Sequence, residues 1–173
     1  MPGFELWGAE ERKELQDVLD NGILMRYGFD GPRKGVWKAK DLEEAICKTF
    51  GCKYAQLVSS GTAALTTALS ALGIGYGDEV IMPSFTFVAS FEAVISVGAV
   101  PVLVDVDDTL TLNPDAVRKA ITSKTKCIMP VHMCGSRTNM DALQAICKEH
   151  NLILLEDDCQ SIGGKKKKKK LGT

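Results

Sequence analysis

SSGTAALTTALSALGIGYGDEVIMPSFTFVASFEAVISVGAVPVLVDVD, residues 59–107, decides the fold. Within it, Thr62 to Leu72 reads as a helix that stops at Gly73. Glu79 to Met82 is an apolar strand closed by Pro83. Phe87 to Val97 is a second helix, ended by Gly98, and Val100 to Val106 is a second strand. These strands are near-continuous apolar runs rather than alternating ones, the pattern of strands buried on both faces. Strands alternating with helices of roughly ten residues form βαβ units, hence an α/β domain with a mostly parallel sheet and helices on both sides.

Further along, the same alternation continues. Asn113-Pro114-Asp115 starts a helix with a capping side chain, a proline at the first helical position and an acid near the positive end of the dipole. That helix runs to about Ile121. Lys126 to His132 reads as a strand, Met140 to His150 as a helix and Leu152 to Asp157 as the last strand. In the other direction, Tyr54 to Val58 reads as a short strand. Lys38 to Phe50 is a helix with Leu42, Ile46 and Phe50 spaced four apart. Ala9 to Asn21 is an amphipathic helix with Leu15, Val18 and Leu19 on one face and a stop at Asn21-Gly22. Gly28 to Gly35 is polar and turn-rich, a loop or arm. The expected organisation is an N-terminal arm and helix over residues 1–37 and a large domain over residues 38–173, with no internal repeat.

Composition narrows the function classes. The chain has 173 residues, 45% of them hydrophobic, enough for one domain with a core. No apolar run approaches the ~20 residues of a membrane span, and Met1 to Glu11 lacks the basic-then-apolar pattern of a signal peptide. Cys47, Cys52, Cys127, Cys134, Cys147 and Cys159 contain no C-x-x-C pair and sit in apolar patterns, which points to a reducing cytoplasm. With only His132 and His150 as histidines, no metal site is expected. Six of the 21 basic residues form the run Lys165–Lys170, which leaves 15 against 22 acidic residues. The rest of the chain is therefore acidic, and no nucleic-acid surface is expected. Six adjacent ammonium groups favour open solvent, so none of them suits a desolvated nucleophile.

In such sheets ligands bind beyond the carboxyl ends of the strands. Ser59-Ser60-Gly61-Thr62-Ala63 follows a strand and opens a helix, so its outward amides suit a phosphate. An ordinary N-cap by Ser60 or Thr62 explains it equally well. Glu156-Asp157-Asp158-Cys159-Gln160 ends the last strand with carboxylates that are costly to bury without partners. A buried Asp157 opposite a pyridinium nitrogen is one explanation; metal binding and simple exposure compete with it. Period-two geometry puts Asp157 and Cys159 on one side and Glu156 and Asp158 on the other. Gln160 falls just past the strand, within reach of a ring hydroxyl. Phe85 or Phe87 offers a stacking surface for a flat cofactor, or else both are core.

Together, SSGTAALTTALSALGIGYGDEVIMPSFTFVAS, VPVLVDVD and LLEDDCQSIGG resemble the DegT/DnrJ/StrS-type sugar aminotransferases, which are fold-type-I pyridoxal-phosphate (PLP) enzymes. The resemblance covers nearly the whole chain, from about Phe4 to Thr173. It implies that Gly61, Thr62 and Ala63 hold the cofactor phosphate through backbone amides and that Phe87 stacks on the ring. It likewise pairs Asp157 with the ring nitrogen, sets Gln160 at the ring hydroxyl and lets His132 border the substrate pocket. It implies a keto-sugar and glutamate as substrates, pyridoxamine phosphate as intermediate, and a homodimer whose partner completes the phosphate pocket. MPGFELWG, Arg26-Tyr27, Phe29-Asp30, Trp37 and VHMCGS resemble the subgroup that aminates position 8 of a 3-deoxy-octulosonate sugar, giving an 8-amino-3,8-dideoxy-octulosonate for lipopolysaccharide.

The family's Schiff-base lysine is expected roughly 15 residues after Thr173, and its small C-terminal domain is not in this chain. The family's sugar dehydratases carry histidine at that lysine's position, so a dehydratase is the second reading. A cofactor-domain fragment without turnover of its own is the third. Ile162-Gly163-Gly164 and Leu171-Gly172-Thr173 match the family on both sides of the lysine run, so the run stands in place of a surface loop.

Overall fold

Val80, Ile81 and Met82 are fully buried in succession, which requires a strand covered on both faces. The structure, a computed structural model, describes residues 3–166 and 169–172; Lys167 and Lys168 of the lysine run lie outside the described residues. Its helices are α1 (Ala9–Asn21), α2 (Asp30–Arg33), α3 (Lys38–Phe50), α4 (Gly61–Ala71), α5 (Val88–Ser96), α6 (Pro114–Ala120) and α7 (Met140–His150). Its strands are β1 (Glu79–Pro83), β2 (Val100–Val104), β3 (Thr125–Ile128), β4 (Ile153–Leu154), β5 (Lys165–Lys166) and β6 (Lys169–Lys170). The chain divides into two units, Met1–Leu57 and Val58–Thr173.

In the second unit, strands β1 to β4 form one parallel sheet in the order β2-β1-β3-β4. Alternation along the strands sends side chains to opposite faces. Val80, Met82, Cys127 and Met129 pack with Leu69 of α4 and Ala93 and Val94 of α5. Ile81 and Ile128 point the other way, to Val117 of α6 and Met140, Leu143 and Ile146 of α7. The sequence reading of a mostly parallel α/β sheet with helices on both faces therefore holds.

Strand ends differ from the sequence reading for local reasons. Pro130 has no N–H, so the regular part of β3 stops at Ile128. The pairing with β4 nevertheless continues: Leu155 donates to the Ile128 carbonyl (3.1 Å), Asp157 to Pro130 (2.9 Å) and His132 to Asp157 (3.2 Å). β2 ends at Val104, and Val106 makes an antiparallel bridge to Leu112. Lys165–Lys166 and Lys169–Lys170 pair antiparallel, with Lys166 tied to Asp141.

Tyr54 to Val58, expected as a strand, is not one. A strand needs a neighbouring backbone to take its N–H and C=O groups. Among the described residues no strand pairs with it, and the Leu57 amide donates instead to Glu43 Oε1 (2.7 Å). Gly28 to Gly35 is not wholly loop: it contains α2, one turn flanked by Phe29 (φ 63) and Lys34 (φ 51) in the left-handed region.

The first unit has helices where periodicity places them, and α1 ends at Gly22 with φ 71. The apolar faces of α1 and α3 are not buried: Leu15, Leu19 and Leu42 are at least half exposed. The buried residues of this unit are polar. Arg33 stacks on Trp37 at 4.2 Å and donates to the Gly28 carbonyl (2.8 Å) and to that of Met25. Glu43 pairs with Arg26 at 2.6 Å. Lys38 joins α3 to Glu14 (2.5 Å) and Asp17 (2.8 Å) of α1.

Two core thiols yield a labelling prediction. Burial pushes Cys127 up to about 12 and Cys147 up to about 11. Values raised in the folded state leave stability whole below the ordinary thiol range near about 8.5 and erode it as pH rises above that range. At neutral pH a thiol reagent should label exposed Cys134 and Cys159 in the native protein, and Cys127 and Cys147 only after denaturation. Peptide mapping checks this, and native labelling of Cys127 would contradict it.

Candidate functional site

The ladder beyond β4 carries Asp157 to the end of the sheet, where it is 8% exposed. Both carboxylate oxygens accept hydrogen bonds. Ser90 Oγ, on α5, donates to Oδ2 at 2.8 Å, and the Cys159 amide donates to Oδ1 at 3.2 Å. Thr86 Oγ1 lies 3.0 Å from Ser90 Oγ. The loop after β1, the start of α5 and the end of the β4 ladder are thus joined through three side chains.

Phe87 sits within this arrangement, between Thr86 and α5. It is the N-cap residue of α5 and 65% exposed, so its ring is not core. Phe85 is also exposed. Gln160 has its Oε1 bound by the Cys134 amide at 2.8 Å. That fixes the side-chain amide with its carbonyl turned to the backbone and leaves its N–H groups as donors. Cys134 has φ 54 and Gly135 has φ 80, a left-handed pair that turns the Cys134 N–H towards Gln160.

The chain turns immediately after Asp157: Ser161 donates its amide to the Asp158 carbonyl (3.1 Å), and the Ser161 hydroxyl meets the Asp158 carboxylate. Period-two alternation therefore ends at Asp157. Cys159 is tied to Asp157 by its backbone, not by sharing a strand face.

His132 is fully buried. Its Nδ1 accepts the Thr138 amide (3.2 Å) and its Nε2 lies 3.0 Å from Glu156 Oε2. An Nδ1 that accepts cannot carry the proton, so Nε2 is the donor to Glu156. That N–H holds the Glu156 carboxyl below the usual carboxylate range against the opposing effect of burial, and the Gly172 amide adds to it. Both ring nitrogens are engaged inside the protein.

Ser59 to Ala63 forms the start of α4. Ser60 is the N-cap, its hydroxyl accepting from the Ala63 amide at 3.0 Å. Among the described residues the Gly61 and Thr62 amides have no hydrogen-bond partner, and a Cβ built on Gly61 meets nothing within 4 Å. The capping reading of this turn is realised by Ser60, and two amides and open space remain beside the cap. Among the described residues no hydrogen bond joins this turn to the Asp157 group. α4 and α5 do share one core layer. Ser90 and Thr86 escaped sequence reading, because a serine in VASFEAVIS carries no motif of its own.

A parallel sheet with a buried acid and an exposed aromatic at its strand ends has the layout of an α/β domain whose ligands bind at that edge. The chain belongs to the DegT/DnrJ/EryC1/StrS aminotransferase family, whose model matches residues 6–173. It resembles the solved structure of 3-amino-5-hydroxybenzoic acid (AHBA) synthase at 39% identity, with a TM-score of 0.88 over 96% of this chain and 42% of that one. S. venezuelae DesV, solved in complex with a ketimine intermediate, is 38% identical, with a TM-score of 0.80 over 88% of this chain and 39% of that one. The E. coli GDP-4-keto-6-deoxy-D-mannose-3-dehydratase, solved with bound hydrated PLP, is 32% identical, with a TM-score of 0.82 over 96% and 42%. The chain thus spans about two-fifths of the length of these structures.

Proposed function

We propose that this chain is the cofactor-binding part of a PLP-dependent aminotransferase that moves an amino group from glutamate to a keto-sugar. The observation that carries the reading is Asp157: a carboxylate held at a strand end, in a chain of this family, with both oxygens oriented by donors. The residues present fit the cofactor. The free Gly61 and Thr62 amides, with open space over Gly61, suit the phosphate. Ala63 stands third in the same turn, its N–H shared with Ser60. Phe87 has an exposed ring for stacking, and Gln160 presents N–H donors to the ring hydroxyl.

When bound, PLP supplies an electron sink for the carbon that gains or loses the amino group. The chain's own contribution is electrostatic and positional. Asp157 holds a proton on the ring nitrogen, the amides of α4 hold the phosphate, and Phe87 excludes water from one ring face. His132, with both nitrogens engaged, orders the strand ends behind the substrate pocket. The finer reading is an 8-amino-3,8-dideoxy-octulosonate, or another amino sugar, for lipopolysaccharide or cell-surface polysaccharide. A cytoplasmic homodimer completes it. No helix among the described residues is long and apolar enough to cross a membrane.

The test uses the complete protein with PLP. L-Glutamate should convert the PLP spectrum to that of pyridoxamine phosphate, and the accepting keto-sugar should reverse it. Failure of glutamate to change the spectrum would refute the aminotransferase. The likeness to the E. coli dehydratase favours a second reading, a sugar dehydratase of the same family. Borohydride reduction followed by peptide mapping separates the two: PLP fixed to a lysine supports transamination, and a histidine at that position supports dehydration.

Gly61 gives a prediction that separates fold from site. It has no positive φ and its Cβ position is open, so alanine fits without strain. Gly61→Ala should leave the melting temperature unchanged or slightly raised. The same methyl fills the space beside the two free amides. PLP affinity should therefore fall by roughly ten- to a hundredfold, as for a lost hydrogen bond to a charged group. Fluorescence titration with PLP checks it.

A further inference from the structure

We propose that Ser90 is a positioning residue for Asp157 and that Thr86 orients Ser90. The inference rests on the reading of Asp157 as the ring-nitrogen partner. Ser90 is 1% exposed, in a helix otherwise apolar on that side. A buried hydroxyl is costly unless its hydrogen bonds are made. Here the capacity is spent in one direction. A serine has one proton, and an ionised carboxylate can only accept. The Ser90 proton therefore goes to Asp157 Oδ2 (2.8 Å), and Ser90 Oγ receives the Thr86 proton (3.0 Å). The chain of donors runs Thr86, Ser90, Asp157.

The consequence lies in what remains of the carboxylate. Oδ2 is fixed by Ser90 and Oδ1 by the Cys159 amide (3.2 Å), so rotation about the Cβ–Cγ bond is blocked. Each oxygen keeps acceptor capacity beyond the one bond it takes here. Removal of Ser90 leaves a single backbone contact, about which the carboxylate can swing. A ring N–H bonded to a swinging carboxylate is held less well, and its proton is lost more readily. Thr86 and Ser90 flank Phe87, so one short segment supplies both the ring-face contact and the support for the ring-nitrogen partner.

The experiment titrates PLP labelled with ¹⁵N at the ring nitrogen into the complete protein as wild type, S90A, S90T and D157N. Melting temperature serves as the folding check. The ring-nitrogen resonance of S90A should move from the protonated towards the unprotonated position, with PLP affinity lower by about tenfold. S90T, which keeps the hydroxyl, should restore both. D157N should shift the resonance fully. If D157N shifts it and S90A does not, the inference on Ser90 is overturned and the reading of Asp157 stands. If D157N has no effect, the reading itself fails. An S90T as impaired as S90A assigns the effect to packing and overturns the proposal. Should S90A not fold, T86V decides: a smaller shift in the same direction supports the chain of donors, and an unchanged resonance overturns it.

Discussion

Asp157→Asn is expected to lower transamination by the complete protein about a hundred- to a thousandfold while leaving the fold intact. That is the range seen when one preorganised electrostatic group is removed from an active site. The fold should survive because asparagine keeps the shape and most of the bonding. Its Oδ1 can still accept the Cys159 amide, and its Nδ2 can donate to Ser90 Oγ once that hydroxyl rotates. What asparagine lacks is charge. A neutral amide cannot hold a proton on a ring nitrogen, so the cofactor loses its strength as an electron sink. Single-turnover kinetics with glutamate, beside a melting curve, checks both halves. Wild-type rates would remove Asp157 from the mechanism; a collapsed melting temperature would make it a structural residue.

The parts of this site that were legible in the sequence are those fixed by local chemistry. Asn113 followed by Pro114 and Asp115 caps α6 as expected, with the Asn113 side chain accepting from the Asp115 amide at 2.9 Å. α1, α3 and α7 begin and end where periodicity and their terminal residues place them. Asp157 could be singled out because an acid at the end of an apolar strand is costly to bury without partners, whereas the residue pattern left Phe85 and Phe87 equivalent and only the family resemblance chose Phe87. Non-local chemistry was not legible. Tyr54 to Val58 has strand-like residues, but a strand also needs a partner edge, which no local pattern reports. The link from Ser90 to Asp157 crosses 67 positions. The dual character of Ser60 to Ala63 was open because capping and phosphate binding draw on the same amides. The structure divides them, one to Ser60 and two to open space.

His132→Ala should cost about 2–4 kcal/mol of stability. Three losses combine. A fully buried ring leaves a cavity between the strand ends and the segment that follows β3. The buried Thr138 amide loses its acceptor, and Glu156 loses the donor at 3.0 Å that offsets its burial. Because the His132 N–H holds Glu156 below the usual carboxylate range, the pair stabilises the folded state above that range and ceases to do so as pH falls through it. His132→Ala should therefore lower the melting temperature most near neutral pH, and the gap to wild type should narrow towards pH about 4. His132→Gln, which can donate to Glu156 or accept from Thr138 but not span both, should fall between the two. Equal melting temperatures for wild type and His132→Ala at neutral pH would show that the buried pair adds nothing to the fold. A loss of PLP affinity without a loss of stability would instead place His132 at the ligand itself.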